Sequence, residues 1–195
     1  SLGIHVLLEE SGAPFEPTLL NIREGAQFKP EFTSINAKSK VPTLVRDDDS
    51  VLTEFTAIAY WIAAKYPAAH LMPATAEAQA TALEATDYAV ATMHMQGFSR
   101  MFRPVNFAPS EADHEAVKAR GLEIYNKGLA WLDHALEGRD YVAGDLSSGA
   151  AAPFYVPLWA SAPLKLDLPK NVAAHYARML ARPAVQRVMA REGLA

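Results

Sequence analysis

The chain has 195 residues, of which 50% are hydrophobic and 21% charged, a composition typical of globular proteins and not of disordered or fibrous ones. Its formal net charge is -4 and its 18 basic residues are dispersed, so no basic stripe is available to bind a nucleic acid. It contains no cysteine, which excludes a disulfide framework, a thiolate metal site and a cysteine nucleophile within this sequence. No apolar run approaches the roughly 20 residues of a membrane span and no signal peptide is recognisable, so we expect a cytoplasmic protein.

The first part of the chain predicts a mixed lobe of helix and sheet. A helix of about ten residues comes first and ends at Gly12, since glycine is the usual left-handed residue after a helix. Residues 15–22 predict a β-strand, which its internal proline restricts to a sheet edge. The apolar runs 41–45 and 50–53 predict a hairpin. From Glu54 the apolar spacing changes to that of a helix, which the next proline closes.

The second part of the chain predicts an all-helical lobe. Residues 67–75 contain two prolines without a clear period and predict a linker between residues 1–66 and residues 76–195. Two long helices follow, one over 77–103 and one that ends at Gly138, and they should lie antiparallel. Shorter helices are predicted over 147–159, 171–180 and 183–191.

This succession resembles the glutathione S-transferases, and most of all their bacterial beta-type members. The residues that carry the resemblance are, in chain order, Lys40-Val41-Pro42-Thr43-Leu44, Leu52-Thr53-Glu54 with Ala57-Ile58, Gly144-Asp145-Leu146-Ser147, and the ending from Ala184-Val185-Gln186 to Glu192-Gly193-Leu194. The similarity extends over nearly the whole chain in order and spacing. It implies an α/β plus all-α fold: a thioredoxin-like N-terminal lobe, lacking its first strand in this chain, and then an all-helical C-terminal lobe.

The resemblance implies a glutathione site in the first lobe. Val41 would offer its main-chain N–H and C=O to the cysteine part of glutathione, with a cis bond to Pro42, a state that X–Pro bonds reach at about 0.5–1 kcal/mol. Glu54 would bind the γ-glutamyl ammonium and Lys40 the glycine carboxylate. Each assignment also has a plain alternative. Pro42 would be an ordinary trans proline, Glu54 a partner of the helix dipole in the first turn, and Lys40 a solvated surface lysine.

The position after Glu54 departs from the family pattern. Phe55 stands where a small serine or glycine would hydrogen-bond the γ-glutamyl carboxylate. Thr56 or the main-chain N–H groups would then take over that role.

The chemistry that the resemblance implies needs a thiolate, whereas an unperturbed thiol has a pKa of about 8.5. The N-terminus of the first helix, from Ser1 to Ile4, would attract the anion. The beta-type pattern places its key cysteine immediately before the serine that Ser1 matches, in a segment that would precede this chain together with the first strand. Ser1 itself could donate to the sulfur, or could simply cap the helix.

An acceptor substrate would lie between the lobes. Phe98, Phe102 and Trp159 are candidates for an apolar wall and His94 for a polar contact, although core packing explains any one of them as well. In the beta-type pattern a histidine on this helix reaches the site, but here Met95 occupies that place and His94 comes one residue early. Such a shift rotates a side chain by about 100°.

A late capping box of the family is also altered. Ser147 is followed three residues later by Ala150 instead of an aspartate, and Pro153 and Pro157 predict an irregular helix. These departures indicate a divergent member of the family.

The sequence therefore predicts a cytoplasmic, homodimeric glutathione transferase in detoxification. It would use reduced glutathione as co-substrate, without a metal or a permanently bound cofactor, and would attack small electrophilic, hydrophobic acceptors. No nucleic-acid or membrane partner is expected. The alternative is a non-catalytic scaffold of the same fold for binding or interaction. Sequence does not separate conjugation from a glutathione-dependent reductase or isomerase activity.

Overall fold

The computed structural model describes residues 1–144, 148–159 and 164–194; the side chains of residues 148–152 and 159 lie outside that description. The first helix, α1 (Leu2–Ser11), ends at Gly12 as predicted. The φ of Gly12 is 69°, a left-handed conformation that glycine adopts without the steric penalty of a Cβ. Most of α1 is buried, so it forms a central part of the core.

The predicted strand over 15–22 is wrong. Residues 13–21 form no regular secondary structure, and a 3₁₀ turn begins at Ile22. A strand needs a neighbour to satisfy its backbone N–H and C=O groups, and in the part of the chain that the structure describes no strand lies beside this segment. Leu19, at its centre, is 70% exposed. The apolar and β-branched residues of this segment therefore do not indicate a strand.

The hairpin is confirmed. After 3₁₀ turns and the short helix α2 (Pro30–Thr33), strands β1 (Thr43–Val45) and β2 (Val51–Thr53) pair antiparallel with Leu44 opposite Leu52. Both leucines pack against the core. The hairpin leads directly into α3 (Phe55–Lys65), so the end of β2 and the start of α3 share one junction.

The long predicted helix over 77–103 consists of three consecutive parts. They are α4 (Ala76–Asp87), a π-helical segment (Tyr88–Phe98) and α5 (Ser99–Phe102). A 3₁₀ turn, Pro67–Ala69, lies between α3 and α4 within the predicted linker. The division into two domains at this linker stays a prediction.

The second long helix, α6 (His114–Ala135), runs antiparallel to the π segment. Gly128 faces Met93 at one end of the contact, and Gly121 faces Met101 at the other. A Cβ on Gly121 would lie 2.7 Å from the carbonyl oxygen of Gly97, so only glycine allows the two backbones to approach this closely.

The remaining helices are α7 (Ser148–Trp159), α8 (Lys170–Leu180) and α9 (Pro183–Arg191). Helix α7 contains Pro153 and Pro157 and continues through both, and its expected irregularity stays a prediction. Residues 153–158 are all buried, so tertiary packing outweighs the proline penalty of about 3 kcal/mol. Ser147 of the altered capping box, and the side chain of Ala150, lie outside the described part of the chain. Across the described ranges, no helix is long and apolar enough to cross a membrane.

The start and the end of the chain pack together. Helix α1 contacts α3, α7 and α9, and one continuous hydrophobic cluster extends through both halves of the chain. Acidic and histidine side chains of α1 also pair with the C-terminal residues: Glu9 with Arg187 and Arg191, Glu10 with Arg182, and His5 with Glu192.

Candidate functional site

A buried asparagine fixes the loop that leads into the hairpin. Asn36 is 3% exposed, and its Nδ2 donates to the carbonyl oxygen of Lys40 at 2.8 Å and to Thr43 Oγ1 at 2.9 Å. Its Oδ1 accepts a hydrogen bond of 3.0 Å from the main-chain N–H of Lys38. Because one buried side chain holds three points of the segment, residues 36–43 are held in one conformation.

This loop presents the main chain of Val41. The Val41–Pro42 peptide bond is cis, as predicted. Neither the N–H nor the C=O of Val41 forms a hydrogen bond within the described ranges, so both groups remain available to a ligand. The neighbouring Lys40 is exposed and forms no ion pair with any residue that the structure describes.

Glu54 occupies the junction between β2 and α3 in an unusual conformation. Its φ is 73° and its ψ 129°, a region that residues with a Cβ rarely adopt. Glu54 is the N-cap of α3, but its side chain makes no capping hydrogen bond. The Glu54 side chain is instead 66% exposed, so its carboxylate is accessible from solvent.

Sequence reasoning missed the cation beside Glu54. The Nζ of Lys38 lies 2.7 Å from Glu54 Oε1 and 2.9 Å from Thr53 Oγ1, and the Lys38 side chain is 57% exposed. Lys38 and Glu54 are 16 positions apart in the chain, and the hairpin brings them together. Since no local spacing links them, only the fold could identify Lys38.

The first turn of α3 contributes further features to the site. Phe55 is buried and its ring centroid lies 5.9 Å from that of Tyr155, so it anchors α3 to α7. Thr56 is half-buried in the first turn. The first N–H groups of any α-helix have no partner within it, and those of α3 therefore favour an anion beside Glu54.

Three of the acceptor-site candidates lie in one column of aromatic rings. His94 contacts Tyr155 edge-on at 5.4 Å, and stacks on Phe98 at 5.4 Å with an interplanar angle of 16°. Phe98 stacks on Phe102 at 5.3 Å and 17°. Through Tyr155 the column reaches Phe55 at the start of α3, and at its other end Phe102 is 46% exposed. The side chain of the fourth candidate, Trp159, lies outside the described residues.

His94 belongs to this column although it comes one residue early in the family pattern. The main-chain N–H of Ser99 bonds the carbonyl oxygen of His94, five residues back, which is the wider turn of a π-helix. This turn shifts the side-chain register, so His94 contacts the aromatic rings while Met95 is exposed. Sequence counting with an α-helical turn could not anticipate that shift.

Burial determines the charge state of His94. It lowers the pKa of His94 to about 4, so the imidazole is neutral near pH 7. Ser1 is the N-cap of α1, as the alternative interpretation has it, but its side chain makes no capping hydrogen bond.

Comparisons with known proteins give one answer. Residues 1–65 match the family described as "Glutathione S-transferase, N-terminal domain". Over the whole chain, the protein is 30% identical to glutathione S-transferase GstA of Escherichia coli O157:H7 and covers 94% of that relative.

Two solved structures extend the likeness to the fold. A glutathione transferase homolog from Sulfitobacter with bound glutathione has a TM-score of 0.87 and 26% identity, and the match covers 100% of this chain and 93% of that one. The beta-class glutathione S-transferase of Sphingomonas chungbukensis has a TM-score of 0.82 and 25% identity, with 100% and 94% covered. The thioredoxin-like and helical arrangement that the sequence predicts is therefore confirmed.

Proposed function

The chain belongs to the glutathione S-transferase family, and on this premise we propose that it conjugates the thiolate of reduced glutathione to small, hydrophobic electrophiles. The proposal includes a glutathione site in residues 1–66 and an acceptor site formed with residues 76–195. It also includes the homodimeric state, the cytoplasmic location and the role in detoxification that the resemblance implies.

The observation that carries the proposal is the state of Glu54. A side chain that neither caps its helix nor packs in the core is held in a strained backbone conformation with its carboxylate exposed. Strain of this kind is retained where a site needs the side chain in one place. The γ-glutamyl ammonium of glutathione needs a carboxylate of this kind, and the free main-chain groups of Val41 suit the cysteine part of the tripeptide. Lys40 would reach the glycine carboxylate.

Activation of the thiol requires more than the helix dipole. Lowering a thiol pKa from about 8.5 by about 2 units takes about 2.7 kcal/mol. The N-terminus of a helix such as α1 contributes about 0.3–1 kcal/mol to a nearby anion, so a hydrogen-bond donor to the sulfur must supply the rest. The Ser1 hydroxyl, which caps nothing, is such a donor, and a hydrogen bond to a charged group contributes about 1.5–3 kcal/mol.

The aromatic column supports the choice of acceptor. Phe102 and Phe98 offer ring surface for an apolar electrophile, and the neutral imidazole of His94 offers a hydrogen bond without attracting the thiolate as a cation would. No part of this wall carries a formal charge near pH 7, so hydrophobic acceptors suit it best.

A conjugation assay tests this proposal. The protein is mixed with reduced glutathione and an aryl halide whose thioether product absorbs light, and we expect saturable turnover above the uncatalysed rate. Phe102→Ala should raise KM for the aryl halide several-fold and leave KM for glutathione unchanged. Glutathione binding without turnover of any electrophile tried would overturn the proposed catalysis and favour the scaffold.

A further inference from the structure

We propose that Lys38 recognises the α-carboxylate of the γ-glutamyl residue, so that Lys38 and Glu54 together bind the zwitterionic amino-acid head of glutathione. The inference rests on the proposed function and deepens it, because it names a residue that determines which thiol peptide the site accepts. Neither composition nor spacing singled out Lys38.

The geometry of the ammonium group supports this role. An ammonium carries three N–H donors, and in Lys38 two of them are used, one for Glu54 Oε1 at 2.7 Å and one for Thr53 Oγ1 at 2.9 Å. One donor remains for a ligand. Lys38 and Glu54 are both more than half exposed, so a ligand can reach the pair without disturbing the core.

The position of Lys38 is set by the fold. Its main-chain N–H donates to Asn36 Oδ1 at 3.0 Å, and Asn36 is buried and also holds Lys40 and Thr43. The side chain is therefore presented from a fixed loop, and its far end is fixed by Thr53 and Glu54. A residue held at both ends loses little further freedom on binding a ligand.

The two charges of an amino-acid head explain why a cation beside Glu54 favours its binding. An α-amino acid head carries an ammonium and a carboxylate on one carbon, so a ligand whose ammonium meets Glu54 also brings its carboxylate close to that negative charge. A cation beside Glu54 removes this repulsion and adds an attraction. Phe55 cannot do so, since it has no side-chain donor and is buried against Tyr155.

The test uses a ligand that differs from glutathione only in this carboxylate. We would titrate reduced glutathione and 4-aminobutanoyl-cysteinyl-glycine into the wild-type protein, Lys38→Met, Lys38→Arg and the control Lys65→Met, which changes an exposed lysine at the far end of α3. The wild-type protein should prefer glutathione about tenfold. Lys38→Met should lose this preference and keep its affinity for the analogue within about twofold. Lys38→Arg and Lys65→Met should retain the preference.

Two results would overturn the inference in different ways. If Lys38→Met still prefers glutathione as strongly as the wild-type protein does, Lys38 does not recognise the carboxylate, although the proposed function stands. If the wild-type protein binds neither ligand, the proposed function fails and this inference fails with it.

Discussion

Glu54 combines an exposed side chain with an unfavourable backbone conformation. A non-glycine residue in such a region costs of order 1–3 kcal/mol, and no contact of the Glu54 side chain with the core offsets this cost. The ion pair with Lys38 is exposed and contributes at most about 1 kcal/mol. The contacts of the Glu54 side chain therefore do not compensate for its strained backbone.

This conflict leads to a prediction about Glu54→Gly. Removing the Cβ relieves part of the strain, so the free energy of unfolding in urea should rise by up to about 1 kcal/mol while glutathione binding is lost. Glu54→Ala is the matched control, because alanine keeps the Cβ and should lose binding without gaining stability. A Glu54→Gly variant that is less stable than Glu54→Ala would contradict the assignment of strain to this residue.

Among the elements, α8 depends on a partner in another helix. Its own N-cap is Pro169, which has no capping side chain, and Asp133 of α6 takes that role. Oδ1 of Asp133 accepts hydrogen bonds from the main-chain N–H groups of Asn171 at 2.7 Å and Val172 at 3.2 Å. An aspartate 38 positions away in the chain therefore satisfies the free donors of the first turn of α8.

We expect Asp133→Ala to lower the free energy of unfolding in urea by about 1–2 kcal/mol, because two helix N–H groups lose their acceptor. The control is Asp113→Ala at the N-cap of α6, where the aspartate makes no side-chain capping hydrogen bond. That change should stay within about 0.5 kcal/mol of the wild-type protein. Equal effects of the two substitutions would show that Asp133 is not a cap.

The elements also show what sequence can predict. Helices such as α1 and α9 were predicted because their signals, a terminal Gly12 and an initial Pro183, act within one or two turns. The false strand over 15–22 and the pair of Lys38 and Glu54 depend instead on what lies next to them in space. The contact of His94 with the aromatic rings depends on a π turn, for which no sequence signal was available. The family resemblance, not local spacing, points to Glu54 and Val41; the cis bond at Val41 is confirmed, and the binding roles of both residues stay predictions.

For the whole molecule, buried histidines make stability depend on pH. His175 is fully buried in the core, and neither ring nitrogen has a hydrogen-bond partner in the part of the chain that the structure describes. Burial lowers the pKa of His175 from 6.5 to about 4, so the folded protein holds it neutral while the unfolded chain takes up a proton. Between these two pH values the unfolded state binds more protons, and stability falls as the pH falls.

This linkage predicts a change in the pH profile of His175→Leu. In the wild-type protein His175 should contribute a loss of roughly 1 kcal/mol per pH unit from about pH 6.5 down to about pH 4, and the variant should lack this contribution. His94, whose pKa is lowered in the same direction, should keep part of the slope in both proteins. Urea unfolding at several pH values measures the two slopes. Identical slopes would mean that His175 is not held neutral in the folded protein.

The central claim is that the first lobe binds glutathione through Glu54. Calorimetric titration of reduced glutathione into the wild-type protein and into Glu54→Ala tests it most directly, with circular dichroism to confirm that both are folded. We predict saturable binding in the micromolar to millimolar range for the wild-type protein and none for Glu54→Ala. A wild-type protein that does not bind glutathione, or a variant that binds it equally well, would contradict the claim.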